Sequence, residues 1–396
     1  MLKKLFLVVL LALVGTGSVF AFTLSDSSIA VKTDVSQLPG IRISLITCGP
    51  GYEEVYEVFG HTAIRIIDSA AHTDMVYNYG TFNGFEKNFE LKFMQGKLLY
   101  YLSVYPFRDF LPEYQERQRS VTEQVLNMDK DQKKAFANYL DKNAEPENRE
   151  YKYDFFYDNC ATRIRDLYPE TMGKTFAFGP ILPKNSKLTF RDIINQYFYA
   201  TKWERFGINI LLGSRIDKVM TDKDIMFLPD YLKTGIEGAT VNGNKLAAKP
   251  EVLLPAGPAK PDGVSGPVVL TMCIAILTIA GLSVKKLSWL GKIMSTGLLF
   301  VTGLLGCLIL VMWFATNHQG CTNNYNLLWA LPTNIILAFW NPKGKPRYAL
   351  VAIVLIFTTI ILHILRIQQL IMIEFMPLLL ALLYIYGTIY RKSQLK

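Results

Sequence analysis

Histidine and cysteine are scarce in this chain, four and five among 396 residues. Only His61, His72, Cys48 and Cys160 precede residue 245. So thin a set gives no basis for a multi-ligand metal centre, and His318 with Cys321 offers two ligand types with no third nearby. Neither a metal nor a cofactor is expected. Acidic residues are equally sparse at one end: beyond Gly266 there is one, Glu374, against ten Lys and Arg. That stretch carries the whole formal charge of +9, and residues 1–265 are neutral, with 32 basic and 32 acidic side chains. The charge therefore marks membrane topology, and nucleic acid is not an expected partner.

Apolar residues are abundant, at 51%, and the excess lies in the last third. Residues 1–21 have the form of a secretory signal peptide, with Lys3 and Lys4 before an apolar core and Val19-Phe20-Ala21 as a small-residue exit. An uncleaved anchor is the alternative, and either one exports the domain C-terminal to it. Residues 22–245 form the expected periplasmic domain. A linker rich in Pro, Ala and Gly covers 246–266, stiffened by Pro250, Pro255, Pro258 and Pro261. Residues 267–396 hold five apolar segments, at 267–284, 293–315, 327–340, 348–365 and 370–390. The third has 14 residues and contains Pro332, so a re-entrant segment competes with a full crossing. With five crossings and the first domain outside, nine of the ten cations fall on the inner side and only Arg366 outside. This arrangement predicts a bacterial inner (cytoplasmic) membrane protein with an exported N-terminal domain, a cytoplasmic C-terminus and the lipid bilayer as its first partner.

The exported part alternates strand-like and helix-like stretches. Strands are expected at 41–47, 62–67, 75–80, 97–104 and 120–126, and helices at 85–94, 129–143, after Asp158 and at 190–199. The fold class is α+β, an antiparallel sheet with helices, followed by an all-α transmembrane bundle of about five helices.

A thiol and an imidazole are the two groups a cysteine hydrolase needs. Cys160 falls in the first turn of a helix that Asp158 is placed to cap, where unpaired N–H groups and the helix dipole favour a thiolate. His61 opens a strand. If 68–74 is a hairpin turn, His61 lies across from residues 79–81, and Asn78 shares its face as a diagonal neighbour able to orient the ring. His72 then falls in the turn, away from the site. Cys160, His61 and Asn78 are the candidate catalytic residues. Arg65, Asn159, Thr162, Arg163 and Tyr79 are candidate substrate contacts, the arginines for an anionic group. Competing explanations stand beside each: a Cys48–Cys160 disulfide or an inert buried thiol, a core histidine, and arginines paired to nearby acids.

Four segments, Ile46-Thr47-Cys48-Gly49-Pro50-Gly51, Val58-Phe59-Gly60-His61-Thr62-Ala63-Ile64-Arg65, Tyr77-Asn78-Tyr79-Gly80-Thr81-Phe82 and Asp158-Asn159-Cys160-Ala161-Thr162-Arg163, resemble the Lnb N-terminal periplasmic domain family of bacterial envelope proteins. Their order is also similar to that of circularly permuted NlpC/P60 papain-like proteins, which include lecithin retinol acyltransferase. The resemblance covers roughly residues 40–170. It implies a permuted papain-like sheet with Cys160 as nucleophile and His61 as base. Where the permuted acyltransferases follow Asn-Cys with Glu-His-Phe, this chain has Ala161-Thr162-Arg163.

A second polar set lies in the apolar part: His318, Asn323, Asn326, His363, Arg366 and Glu374. Interhelical hydrogen bonding explains it, and a polar floor for a substrate head group is the alternative. The sequence thus predicts a membrane-anchored cysteine hydrolase or acyl-transfer enzyme working on an amide or ester of the cell envelope, in a peptidoglycan peptide or a lipid-linked molecule. The alternative is a non-catalytic binding or assembly module for another envelope protein.

Overall fold

The computed structural model describes residues 40–258, 261–340 and 344–394. The expected signal peptide lies outside the described residues. The chain divides into two compact units, one of residues 40–188 and 219–258, the other of Thr189–Lys218 and the segment from Pro261 onward.

The first unit is built on a seven-stranded antiparallel sheet. Its strands are β1 (Ile41–Cys48), β2 (His61–Asp68), β3 (Thr73–Phe82), β4 (Leu99–Pro106), β5 (Val121–Val125) and β6 (Glu150–Lys152). β7 (Phe176–Ala177), β8 (Thr240–Val241) and β9 (Asn244–Lys245) form a separate small sheet. β10 (Glu251–Leu254), inside the Pro/Ala/Gly stretch, adds an edge, giving the order β10-β5-β1-β2-β3-β4-β6. β1 is central because its β-branched sequence buries both faces, with Arg42 its one exposed residue. The β2–β3 turn is the expected one: Asp68 Oδ1 accepts the N–H groups of Ala70 and Ala71, and His72 takes a φ of 53° there.

Side-chain alternation divides the core between two faces. Ala63 and Val76 pack with Ile46, Cys48 and helix α1 (Phe107–Glu116) on one face. Ile64, Ile66 and Tyr77 pack on the other with α2 (Lys130–Ala144) and α3 (Cys160–Met172). Asp129 caps α2 by accepting from Gln132 N.

The second unit contains α4 (Phe190–Tyr197), α5 (Lys202–Leu211), α6 (Gly266–Ser283), α7 (Ser288–Phe314), α8 (Asn334–Phe339), α9 (Lys345–Ile364) and α10 (Met372–Gln394). Among the described residues four helices, Gly266–Ser283, Lys285–Phe314, Lys345–Ile364 and Met372–Gln394, are long and apolar enough to cross a membrane. The third expected span is not a continuous helix. It comprises a 3-10 turn (Tyr325–Leu328), an irregular stretch through Pro332 and the six residues of α8. Pro332 lacks the N–H a helix there would require. Yet this segment joins the two ends of α9: Asn324 Oδ1 accepts from Gln368 Nε2, just past α9, and Asn334 Oδ1 accepts from Tyr348 in its first turn. A glycine at 306 allows the close approach, since a Cβ there would lie 2.0 Å from Ala330 O. Irregular backbone at membrane depth needs partners inside the protein. Asn334 shows the solution: it is fully buried, accepts from Tyr348 and Tyr386, and donates to Thr302.

Thr189–Lys218 is held to these helices by polar contacts. Asn324 and Asn326 donate to the carbonyls of Asn209, Ile210 and Leu211 at the end of α5. Arg205 pairs with the buried Glu374 carboxylate, and Arg366 lies 3.5 Å from Asp192.

Candidate active site

The site forms where the sheet opens. β2 and β3 pair from Asp68↔Thr73 up to Ile64↔Tyr77, and beyond that they part. β3 then bulges against β4 between Asn78 and Thr81, with Gly80 at φ 98°. The N-terminus of α3 meets this opening. Asn159, not Asp158, is the cap: its Oδ1 accepts Thr162 N at 2.9 Å, and Thr162 Oγ1 accepts Asn159 N at 2.7 Å. Asp158 instead pairs with Arg163. Asn159 Nδ2 also donates to Phe155 O and Phe227 O, so the cap is anchored on two further segments.

Cys160 is the first residue of α3, near the backbone N–H groups of Thr62, Ala161 and Cys160 itself, which favour its thiolate. Burial pushes its thiol up to about 11, against the pull of those donors and of Arg119.

His61 is placed by Gly60, which has a φ of 75° and approaches Cys48 so closely that a Cβ would lie 2.6 Å from its carbonyl oxygen. The imidazole Nε2 is 2.6 Å from Asn78 Oδ1, and Asn78 Nδ2 donates to Tyr105 Oη at 3.0 Å. In that network Nε2 carries the proton and Nδ1 is left as the basic nitrogen. Burial pushes the imidazole down to about 4, opposed by the Asn78 hydrogen bond and reinforced by Arg119. Near neutral pH the pair is thiol and neutral imidazole, not an ion pair.

The two groups come from opposite faces. His61 and Asn78 continue the alternation of Ala63 and Val76 towards α1, whereas Cys160 belongs to the core on the α3 face. They meet at Gly80. The point a Gly80 Cβ would occupy lies 3.8 Å from Cys160 Cβ and 3.9 Å from His61 Cε1. Among the described residues no hydrogen bond joins Cys160 to His61. Cys48 and Cys160 are both free thiols.

The remaining sequence candidates are engaged within the domain. Arg65 makes two hydrogen bonds to Asp74, a third to Glu123, and lies 3.7 Å over the Phe107 ring. Arg163 binds Asp158 and lies over Tyr151. Asn159 and Thr162 form the cap, and Tyr79 is buried edge-on to Tyr151. Sequence reasoning did not single out Gly80, Thr62, Tyr105 as the partner of Asn78, or Arg119. No group of three or more His, Cys, Asp or Glu is placed to hold a metal among the described residues.

The site lies in an α+β domain on an antiparallel sheet, in a chain that also carries helices long and apolar enough to cross a membrane. Residues 30–196 match the Lnb N-terminal periplasmic domain, and residues 264–396 match the Lnb transmembrane domain. The chain thus carries an Lnb N-terminal periplasmic domain followed by an Lnb transmembrane domain. No curated protein and no solved structure matches it.

Proposed function

We propose that the exported domain is a cysteine hydrolase or acyl-transfer enzyme of the cell envelope, with Cys160 as nucleophile, His61 as base and Asn78 orienting the ring. The observation that carries this is the convergence of a thiol in the first turn of a helix with an Asn-bound imidazole at the side-chain-free Gly80. Rotation of the Cys160 side chain towards His61 starts the reaction. The thiol proton passes to Nδ1, and the sulfur attacks an amide or ester carbonyl carbon. Backbone N–H groups at the start of α3 receive the charge on oxygen. The imidazolium then protonates the departing amine or alcohol, leaving a thioester on Cys160. Water, or a second amine or alcohol, attacks that thioester as His61 takes its proton, and the thiol is restored. Membrane spans in the same chain put envelope substrates, peptidoglycan peptides or lipid-linked molecules, within reach.

The test is a single turnover of full-length protein with an activated ester, followed by mass spectrometry of the Cys160 peptide. An acyl adduct on Cys160 that is lost in C160A and slowed in H61A supports the proposal. The burial of Cys160 and the lack of a bond to His61 favour the second reading, an envelope binding or assembly module. A C160A variant that keeps full cellular function, with no adduct on the native thiol, selects that module instead.

A further inference from the structure

We propose that the segment Phe227-Leu228-Pro229 sets the spacing of the two reacting groups, gripping the Cys160 side through Asn159 and the His61 side through Gly60; this rests on the reading of Cys160 as nucleophile and His61 as base. Those two groups reach the site from opposite faces of the sheet, and no hydrogen bond joins them among the described residues. Their spacing is therefore set by the backbone around them, and an error of about 1 Å in such spacing can cost about a hundredfold in rate.

The grip on the thiol is polar. Asn159 Nδ2 donates to Phe227 O and to Phe155 O, both at 2.8 Å, while its Oδ1 accepts Thr162 N. Asn159 is 3% exposed, so these bonds face little competition from water. A carboxamide serves both ends at once: Ser or Asp could cap α3 but has no pair of N–H donors for the two carbonyls. Arg165, further along α3, donates from Nη1 to Lys223 O at 3.0 Å, so the chain leading into 227–229 holds the helix a second time.

The grip on the base is steric. Gly60 immediately precedes His61, and the point its Cβ would occupy lies 3.7 Å from Pro229 Cβ. Pro229 is buried and opens the helix Pro229–Glu237, where its ring fixes φ and its missing N–H leaves no bond unmade. Phe227 is fully buried. Its ring stands edge-on to Phe155 at 5.7 Å, and the Phe155 ring lies 4.6 Å from that of Phe59, the residue before Gly60. The segment itself has little freedom. Phe227 N donates to Asp224 O at 3.1 Å and Leu228 N to Ile225 O at 3.2 Å, and Leu228 O accepts the N–H groups of Tyr231 and Leu232. Leu232 and Ile236 anchor the helix in the core that also holds Cys160. Phe227 lies 68 residues from Asn159, outside every segment in which the sequence places the site. Asn159 and Pro229 are thus positioning residues, acting through Cys160 and His61.

The experiment measures how much His61 contributes in each background. Full-length protein in detergent is acylated by p-nitrophenyl acetate in a single turnover, and the adduct on the Cys160 peptide is read by mass spectrometry. H61A should slow the native protein about a hundredfold, a general base's share. Asn159→Ser keeps the cap and releases Phe227 O; Pro229→Gly leaves the cap untouched and opens a gap at Gly60. In each, H61A should cost no more than about fivefold, because the base is already out of reach. Leu140→Ala, in α2, is the control: it weakens the core of the same domain and should leave the H61A factor at its native size. Lost stability alone would give the control's result in all three. A full H61A factor in both Asn159→Ser and Pro229→Gly overturns the proposal, and if Asn159→Ser does not fold, Pro229→Gly decides. Failure of the catalytic reading looks different: native Cys160 takes no adduct, or H61A has no effect on the native protein, and the proposal falls with it.

Discussion

His61 donates from Nε2 to Asn78 Oδ1 across 2.6 Å, although Asn78 stands diagonal to it and not directly opposite. The directly opposite position by register is Gly80, which has no side chain to offer. The diagonal bond leaves Nδ1 unprotonated and frees the space between His61 and Cys160. Removing it in Asn78→Ala should slow single-turnover acylation of Cys160 about tenfold to a hundredfold, a share of what general-base catalysis contributes. Tyr105→Phe, which only loosens the Asn78 amide, should cost about fivefold, as one hydrogen bond does. Rapid-quench acylation kinetics at saturating ester check both.

Gly80 has two roles that one substitution separates. At φ 98° an alanine is strained, and Gly80→Ala should lose about 1–3 kcal/mol of stability. Its methyl would sit in ordinary contact with both Cys160 and His61 and fill the space where they meet. Acylation should therefore fall well beyond the stability loss, and H61A should add little in that background. Chemical denaturation with acylation rates for the four proteins of that double-mutant cycle provides the measurement.

Much of this site was legible because it depends on local rules. A short turn between 68 and 74 and a side-chain period of two place Asn78 beside His61 by counting alone. A polar run before an amphipathic stretch places Cys160 at a helix start. The cap was misplaced by one residue, since Asp158 and Asn159 are both good caps, and only Thr162 three residues on favours Asn159. What was not legible depends on distant approach. Arg119 meets Gly49 from 70 residues away, and no spacing rule reports that. The bulge at Gly80 appears in sequence only as a glycine in a strand. Thr189–Lys218 reads as part of a polar domain, yet its carbonyls at 209–211 and Arg205 find their partners on the segment between α7 and α9 and on α10.

The depressed imidazole pKa makes an acid-stability prediction. With His61 at about 4 folded and near 6.5 unfolded, the unfolded chain binds the extra proton between those values. Its contribution to stability is fully present above pH 6.5 and is lost as pH falls through about 4. His61→Gln should flatten that part of the profile. Thermal melts of both proteins across the window test this, and parallel profiles would refute the burial argument.

Arg191 should be the residue that Thr189–Lys218 can least do without. Its side chain is 1% exposed and makes five hydrogen bonds: two to Asp217, one to Asn209, and one each to the carbonyls of Leu212 and Gly213. Asp217 in turn accepts the N–H of Gln369, which ties this network to the turn between α9 and α10. Arg191→Ala removes a cation and leaves a buried carboxylate without its counter-charge, a change that costs about 3–5 kcal/mol. Lysine cannot rescue it, because one ammonium does not reproduce the planar fork that reaches Asp217, Asn209 and two carbonyls together. The loss should be local. In hydrogen exchange on the full-length protein, α4 and α5 should lose protection in Arg191→Ala and in Arg191→Lys, while the β1–β5 ladder keeps it. Equal loss of protection in the sheet would show that the first unit depends on this network, contrary to the division of the chain.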